Sequence, residues 1–344
     1  MKAAVLTKIN EPLEIKNVEL TDLKIGQVLV KIKVSGLCGA QLQEIAGQKG
    51  NEKFLPHLMG HEGCGWVQDI GPGVSKVKIG DKVVMHWRVG EGIEAEFPSY
   101  ILDGKKMSSG KVTTLSEYSI VSENRLTVVP DDTPDELCAL LGCGLTTALG
   151  TINNEAELKF GESIMIVGCG GVGLNLIQGA KLASAYPIIG VDVSEEKGKK
   201  TFDNGAHFFI NIKESNISEE LKKMNVDKVD VIIDTTGHVS AITKTLPFLS
   251  NTGRYILVGQ PNPGASLEIP NANFLFGGQG KSIRATQGGK TSPNQDIPRY
   301  IKLHKAGLID LNKIITHRFN LDNINDAINL LKSGEAGRII IEIE

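Results

Sequence analysis

The sequence predicts an α/β protein of two domains, one β-rich and one built on a doubly wound parallel sheet. Three observations predict it. The chain has 344 residues, more than one ordinary core holds and comfortable for two. As far as about residue 130 it reads as short strands broken by Gly, Pro and Asp turns. From about residue 162 apolar strands alternate with amphipathic helices, the pattern of a parallel sheet.

The elements follow in order. "QVLVKIKVSG" is β-rich, and "GCGWVQDIGPGVSKVKIGDKVVM" alternates strands with turns, which suggests a partly open barrel or sandwich. Residues 86 to 117 have weak periodicity and read as a long loop or lobe, a length that is usually functional or partner-binding. Strand character returns in "LSEYSIVSENRLTVVP". "TPDELCALLGCGLTTALGTI" has helical spacing behind an acid-rich first turn. Then come the strand, glycine turn and helix of "ESIMIVGCGGVGLNLIQGAKLAS", the strand "PIIGVDVS", the helix "EEKGKKTFDNGA", and the strands "HFFIN", "VDVIIDTTG" and "GRYILVG". The tail reads helix, helix, strand; its last strand, "RIIIEI", needs a sheet to join, and the early domain is the expected host.

Hydrophobic residues make up 41% of the chain and charged residues 22%, as in soluble globular proteins. A net charge of -3, with both signs interspersed, argues against nucleic acid as a partner, because phosphate binding needs a positive field. No apolar run approaches the ~18 residues of a membrane span. "MKAAVLTKIN" lacks the apolar core of a signal peptide, so a cytoplasmic location is expected. The five cysteines, Cys38, Cys64, Cys138, Cys143 and Cys169, are too few and odd in number for a disulfide framework. In a reducing compartment they are thiol ligands, nucleophiles or packing.

"GCGGVG" sets Gly168, Gly170 and Gly173 in the pattern G-x-G-x-x-G, with Gly171 and Val172 between. The pattern alone is weak in a chain with 39 glycines, but here it follows a strand and opens a helix. The first glycine makes the turn, the second admits a pyrophosphate, and the third lets helix and strand pack. Free N–H groups at the helix start would hold the phosphates. About 20 residues on, a strand ends in Asp192, where a carboxylate would accept both ribose hydroxyls of NAD. Val193, Ser194, Glu195 and Glu196 follow, with no arginine for the extra phosphate of NADP. Lys197 is read as approaching the adenosine side or as an exposed helix charge.

Hydride can leave an alcohol for NAD once its hydroxyl sheds a proton, and zinc lowers the pKa of an oxygen it binds. Catalytic zinc takes three protein ligands, and Cys2His is a documented set. The candidates are Cys38 in "SGLCGAQ", His61 in "GHEG" and Cys143 in "LLGCGLTT", each beside glycine. Cys64, three residues from His61, is the rival ligand; Cys138 and Cys169 are read as packing. Neighbours in a regular strand point to opposite faces, so His61 and Glu62 serve one centre only if the chain turns there.

"SGLCGA", "GHEGCGWV", "IGDKVV", "LLGCGLTTALG", "VGCGGVG", "IIGVDVS", "ITHRF" and "AINLLKSGEAGRIIIEI" occur in this order. Together they resemble the zinc-dependent medium-chain alcohol dehydrogenase family over the full length. The resemblance implies a GroES-like catalytic domain from residues 1–145 and 286–344 and a Rossmann NAD domain from 146–285. It implies zinc on Cys38, His61 and Cys143, with Glu62 beside the metal as a neighbour or exchanging ligand. It further implies cofactor contacts from Thr147, from the Gly168 turn, from Val258 and Gly259, and from Arg338 at the pyrophosphate. A homodimer or homotetramer is implied as well.

Three departures qualify this. Many members hold a structural zinc on four cysteines in the middle lobe, whereas residues 86–117 contain none; one catalytic zinc and no structural zinc are expected. The family's Ser or Thr two residues after the first cysteine is Ala40, and the titratable group that often follows is replaced by Gln41 and Gln43. The proton then leaves through water or Glu62, or the substrate brings its own group, as a polyol or sugar does. Arg88, Lys105, Lys106 and Lys111 are read as a solvated charged loop or as contacts to an anionic substrate such as a sugar phosphate. The expected function is hydride transfer between NAD and an alcohol. The alternatives are a zinc-free reductase of the same superfamily, separated by metal analysis, and a non-catalytic NAD-binding protein, separated by a turnover screen.

Overall fold

The computed structural model describes residues 1–50, 52–269, 271–276 and 280–344. They form two compact units, Met1–Thr146 with Ser292–Glu344, and Thr147–Thr291. Among the described residues no single helix is long and apolar enough to cross a membrane.

The first unit is organised around the strand Gln27–Leu37. Its valines and isoleucines alternate with Lys31 and Lys33, so Val28, Val30 and Ile32 go inward while the lysines stay in water. Inward they meet Val67, Val83, Met85, Ile339 and Ile341; each such side chain contributes about 1.5–3 kcal/mol on full burial. The sheet runs in the order Leu126–Val128, Lys82–His86, Glu62–Ile70, Gln27–Leu37, Arg338–Glu342, Ile315–Asn320, and Tyr118–Ser122 also pairs with Gln27–Leu37. The C-terminal strand Arg338–Glu342 thus lies antiparallel to Gln27–Leu37, Ile341 opposite Ser35. A second six-stranded sheet contains Lys2–Leu6 and, further along, Ser99–Leu102 and Lys105–Ser108.

The segment expected as a loop, 86–117, contains that last hairpin. Its turn is Asp103-Gly104, with φ of 50° and 70°, and Asp-Gly with both residues at positive φ is a two-residue hairpin turn. Periodicity missed it because the strands are short and only Tyr100, Leu102 and Met107 face inward. Two acids tie the rest of the segment down. Glu123, fully buried, accepts the backbone N–H groups of Ser75, Lys76 and Ile93. Glu94 binds Arg125 at 3.0 Å, Asn124 at 2.8 Å and also Lys111.

The second unit is a six-stranded sheet with every neighbour parallel, in the order Phe208–Asn211, Ile188–Asp192, Ile164–Val167, Val229–Asp234, Leu249–Leu257, Ser282–Ala285. Its strands read as apolar runs because both faces are covered. Ile164 and Ile166 enter the core that holds Leu174 and Ile177. Met165 and Val167 enter the opposite core with Ile189 and Tyr255. The first strand in sequence, Ile164–Val167, lies between the second and the fourth. The strand order reverses beside it, and the crevice at such a point is where open α/β sheets bind ligands.

Candidate active site

Three chain breaks in the first unit converge. Cys38 ends the strand Gln27–Leu37 and caps the helix Gly39–Ile45. His61 sits just ahead of the strand Glu62–Ile70, after Gly60 with φ 93°. That turn demands glycine twice over, since a Cβ there would also stand 2.9 Å from the backbone nitrogens of Thr114 and Leu115. Cys143 lies where the expected single helix breaks into Asp135–Leu141 and Gly144–Gly150. The ligand atoms of Cys38, His61 and Cys143 all lie within 4.8 Å of one another, the one such group among the described residues.

The surroundings orient this trio. Gln41 places its amide oxygen 2.8 Å from the Cys38 N–H and its amide nitrogen 2.6 Å from His61 Nδ1. Glu62 is fully buried. One of its oxygens accepts the Gly144 N–H at 3.0 Å and the other is ion-paired with Arg338. Hydrogen bonding from Cys143 and contact with His61 hold the Cys38 thiol well below its ordinary range, against burial. The shared hydrogen bond and burial push Cys143 well above its own. Burial works against a charged His61, but the Cys38 sulfur outweighs it and raises the imidazole. Burial also raises the Glu62 carboxyl, against the pull of Arg338. Sulfurs and an imidazole sharing protons around one point release them to a divalent ion, which is how thiolate sites bind metal.

The rival cysteines lie elsewhere. Cys64 is fully buried, its thiol directed at Asp135 and beside Cys138. Cys169 directs its thiol to the Val191 carbonyl. Lys111, weighed as a substrate contact, is ion-paired with Glu94.

The second unit carries the glycine turn. Gly168 has φ 91°, and the absence of a side chain on Gly173 is what lets the helix Gly171–Leu182, which begins with Gly171 and Val172, pack on the Gly168 carbonyl oxygen. Asp192 ends its strand and accepts the N–H groups of Cys169 and Val193, both at 2.7 Å. Lys197 reaches the same carboxylate at 3.3 Å. Gly168, Gly170, Asp192 and Lys197 line one cavity of about 360 Å³.

Thr147, Val258 and Gly259 are not among its lining residues. Val258 and Gly259 donate their N–H groups to the Asp234 carbonyl. Arg338, which the resemblance implies at the pyrophosphate, stands beside the Cys-His-Cys group. Its side chain is 3% exposed and pairs with Glu62, because a carboxylate so buried needs a cation beside it.

Sequence reasoning passed over two sets of residues. Thr235, Thr236 and His238 line the cavity, and their "DTTG" stretch at the end of a parallel strand was the available sign. Gln41, from the sequence a group that does not titrate, stands three residues after the helix cap Cys38, and that place is the clue to its contacts.

Residues 24–131 match the "Alcohol dehydrogenase GroES-like domain" family and residues 171–306 the "Zinc-binding dehydrogenase" family. The chain is 30% identical to S-(hydroxymethyl)glutathione dehydrogenase of Paracoccus denitrificans, over 99% of each chain. It is 31% identical to alcohol dehydrogenase 6 of Peromyscus maniculatus, over 99% of this chain and 97% of that one. The solved structure of benzyl alcohol dehydrogenase from Acinetobacter calcoaceticus superimposes with a TM-score of 0.90 at 26% identity, covering 100% of this chain and 99% of that one. A Cys-His-Cys group, a phosphate turn on a parallel sheet and full-length likeness agree, and the chain belongs to the zinc-dependent medium-chain alcohol dehydrogenase family.

Proposed function

We propose that this chain is an NAD-dependent zinc alcohol dehydrogenase that interconverts a primary or secondary alcohol and its aldehyde or ketone. The observation that carries the reading is the convergence of Cys38, His61 and Cys143 within 4.8 Å. Catalytic zinc takes sulfur and nitrogen ligands, Cys2His among the documented sets, so the donor set fits the ion in chemistry. Zinc held there would supply Lewis acidity toward the substrate oxygen, easing loss of its proton near neutral pH.

The chain's own residues do the rest. Glu62 and Arg338 put a compensated charge pair behind the ligands. The backbone N–H groups after Gly168 are suited to the pyrophosphate, and Asp192 is suited to the adenosine ribose, which favours NAD over NADP. Ala40 offers no hydroxyl for a proton relay, and both oxygens of Glu62 are engaged. The substrate that fits such a site brings a second hydroxyl of its own, a vicinal diol, polyol or sugar. A single zinc per chain suits a middle lobe that has no cysteine and is tied by Glu94 and Glu123. Family likeness favours a homodimer or homotetramer, and the cysteine pattern favours the cytoplasm.

The test joins metal analysis of purified protein to a screen that follows NADH absorbance over simple alcohols, polyols and sugar phosphates. One zinc per chain and faster turnover of vicinal diols than of mono-alcohols are expected. Protein without zinc, or without turnover on any alcohol, overturns the assignment.

A further inference from the structure

We propose that Gln41 is a positioning residue of the metal centre, and that having an amide where a carboxylate would fit keeps zinc affinity below what the fold allows. The inference rests on the zinc reading above.

Gln41 is fully buried and is the third residue of the helix Gly39–Ile45, where its side chain completes a capping box with Cys38. Its two ends address two ligands at once. The oxygen takes the Cys38 backbone N–H at 2.8 Å, and the nitrogen lies 2.6 Å from His61 Nδ1. A neutral imidazole that ligates through Nε2 carries its proton on Nδ1. Both partners of Gln41 are then donors, the Cys38 N–H and the His61 Nδ1–H. An amide has one acceptor end and one donor end. Whichever way it turns, one donor faces the NH2 group. With the oxygen toward Cys38 the imidazole proton has no acceptor among the described residues, and with the oxygen toward His61 the Cys38 amide has none among them.

Glutamate has the same shape and accepts at both oxygens. It also suits the third position of a capping box as well as glutamine does, so Gln41→Glu preserves the helix start. Its charge adds attraction for the cation, in the same direction. Partners of a ligand imidazole typically change metal affinity by about 10–100-fold.

The experiment is zinc competition against a chromogenic chelator, on wild type, Q41E and Q41A, with the apo proteins melted in parallel. Q41E is expected to bind zinc about 10–100-fold more tightly than wild type, and Q41A more weakly by a similar factor. A merely structural role predicts no gain from any substitution, so the gain in Q41E is the decisive readout. Wild type that binds one zinc, with Q41E equal or weaker, overturns this inference and leaves the zinc reading standing. Wild type that binds no zinc ends both.

Discussion

Replacing His86 by glutamine should remove the part of the first unit's acid sensitivity that comes from burying this imidazole. His86 is 2% exposed in the strand Lys82–His86. Its Nδ1–H donates to the Arg88 carbonyl at 2.8 Å, and its Nε2 accepts from the Thr127 hydroxyl at 3.0 Å. The neutral ring is therefore satisfied, and burial lowers its pKa from 6.5 to about 4. The unfolded chain binds a proton at this residue below pH 6.5, and the folded chain does so only below about 4. Stability is thus whole above pH 6.5 and falls as pH drops through that window. At 1.36 kcal/mol per pH unit the full loss is about 3 kcal/mol, and about 2.5 kcal/mol of it has gone by pH 4.5. The two tryptophans, Trp66 and Trp87, both lie in the first unit, so their fluorescence in urea reports that unit's unfolding. Between pH 7.5 and 4.5 wild type should lose about 2.5 kcal/mol more than His86→Gln. If both proteins lose the same amount, within about 0.5 kcal/mol, the reasoning from burial is wrong.

Two further outcomes follow from the charge arrangement. Arg338→Met leaves the Glu62 carboxylate buried without its cation and should cost about 3–5 kcal/mol; the double variant Glu62→Gln, Arg338→Met should recover much of this in the same urea assay, and equal losses would show that the pair is not what matters. On the proposed reading of Asp192 as the ribose acceptor, Asp192→Ala forgoes a charged hydrogen bond worth about 1.5–3 kcal/mol, so kcat/KM for NAD should fall about 10–100-fold while the ratio to NADP moves toward NADP. An unchanged ratio would show that specificity is set elsewhere.

Much of this molecule is local, and so was legible in the sequence. Runs such as "SIMIV" and "PIIGV" are apolar because a parallel strand is covered on both faces, and Gly168 and Gly173 mark a turn that side chains would block. The hairpin at Asp103-Gly104 was also written locally, but its short, half-wet strands dilute the period that betrays a strand. Which cysteine is a ligand was not local at all. Cys64 stands three residues from His61 and points into the core toward Asp135, whereas Cys143 stands 82 residues away and meets it.

The sequence by itself determined where the chain turns, which faces are apolar and which residue types are available for chemistry, because each follows from a few neighbouring residues. The tertiary structure decided which of those residues share a centre. It seated Arg338 on Glu62 and set Gln41 between Cys38 and His61. A buried charge and an unpaired donor find partners through space, at distances along the chain that no local pattern encodes.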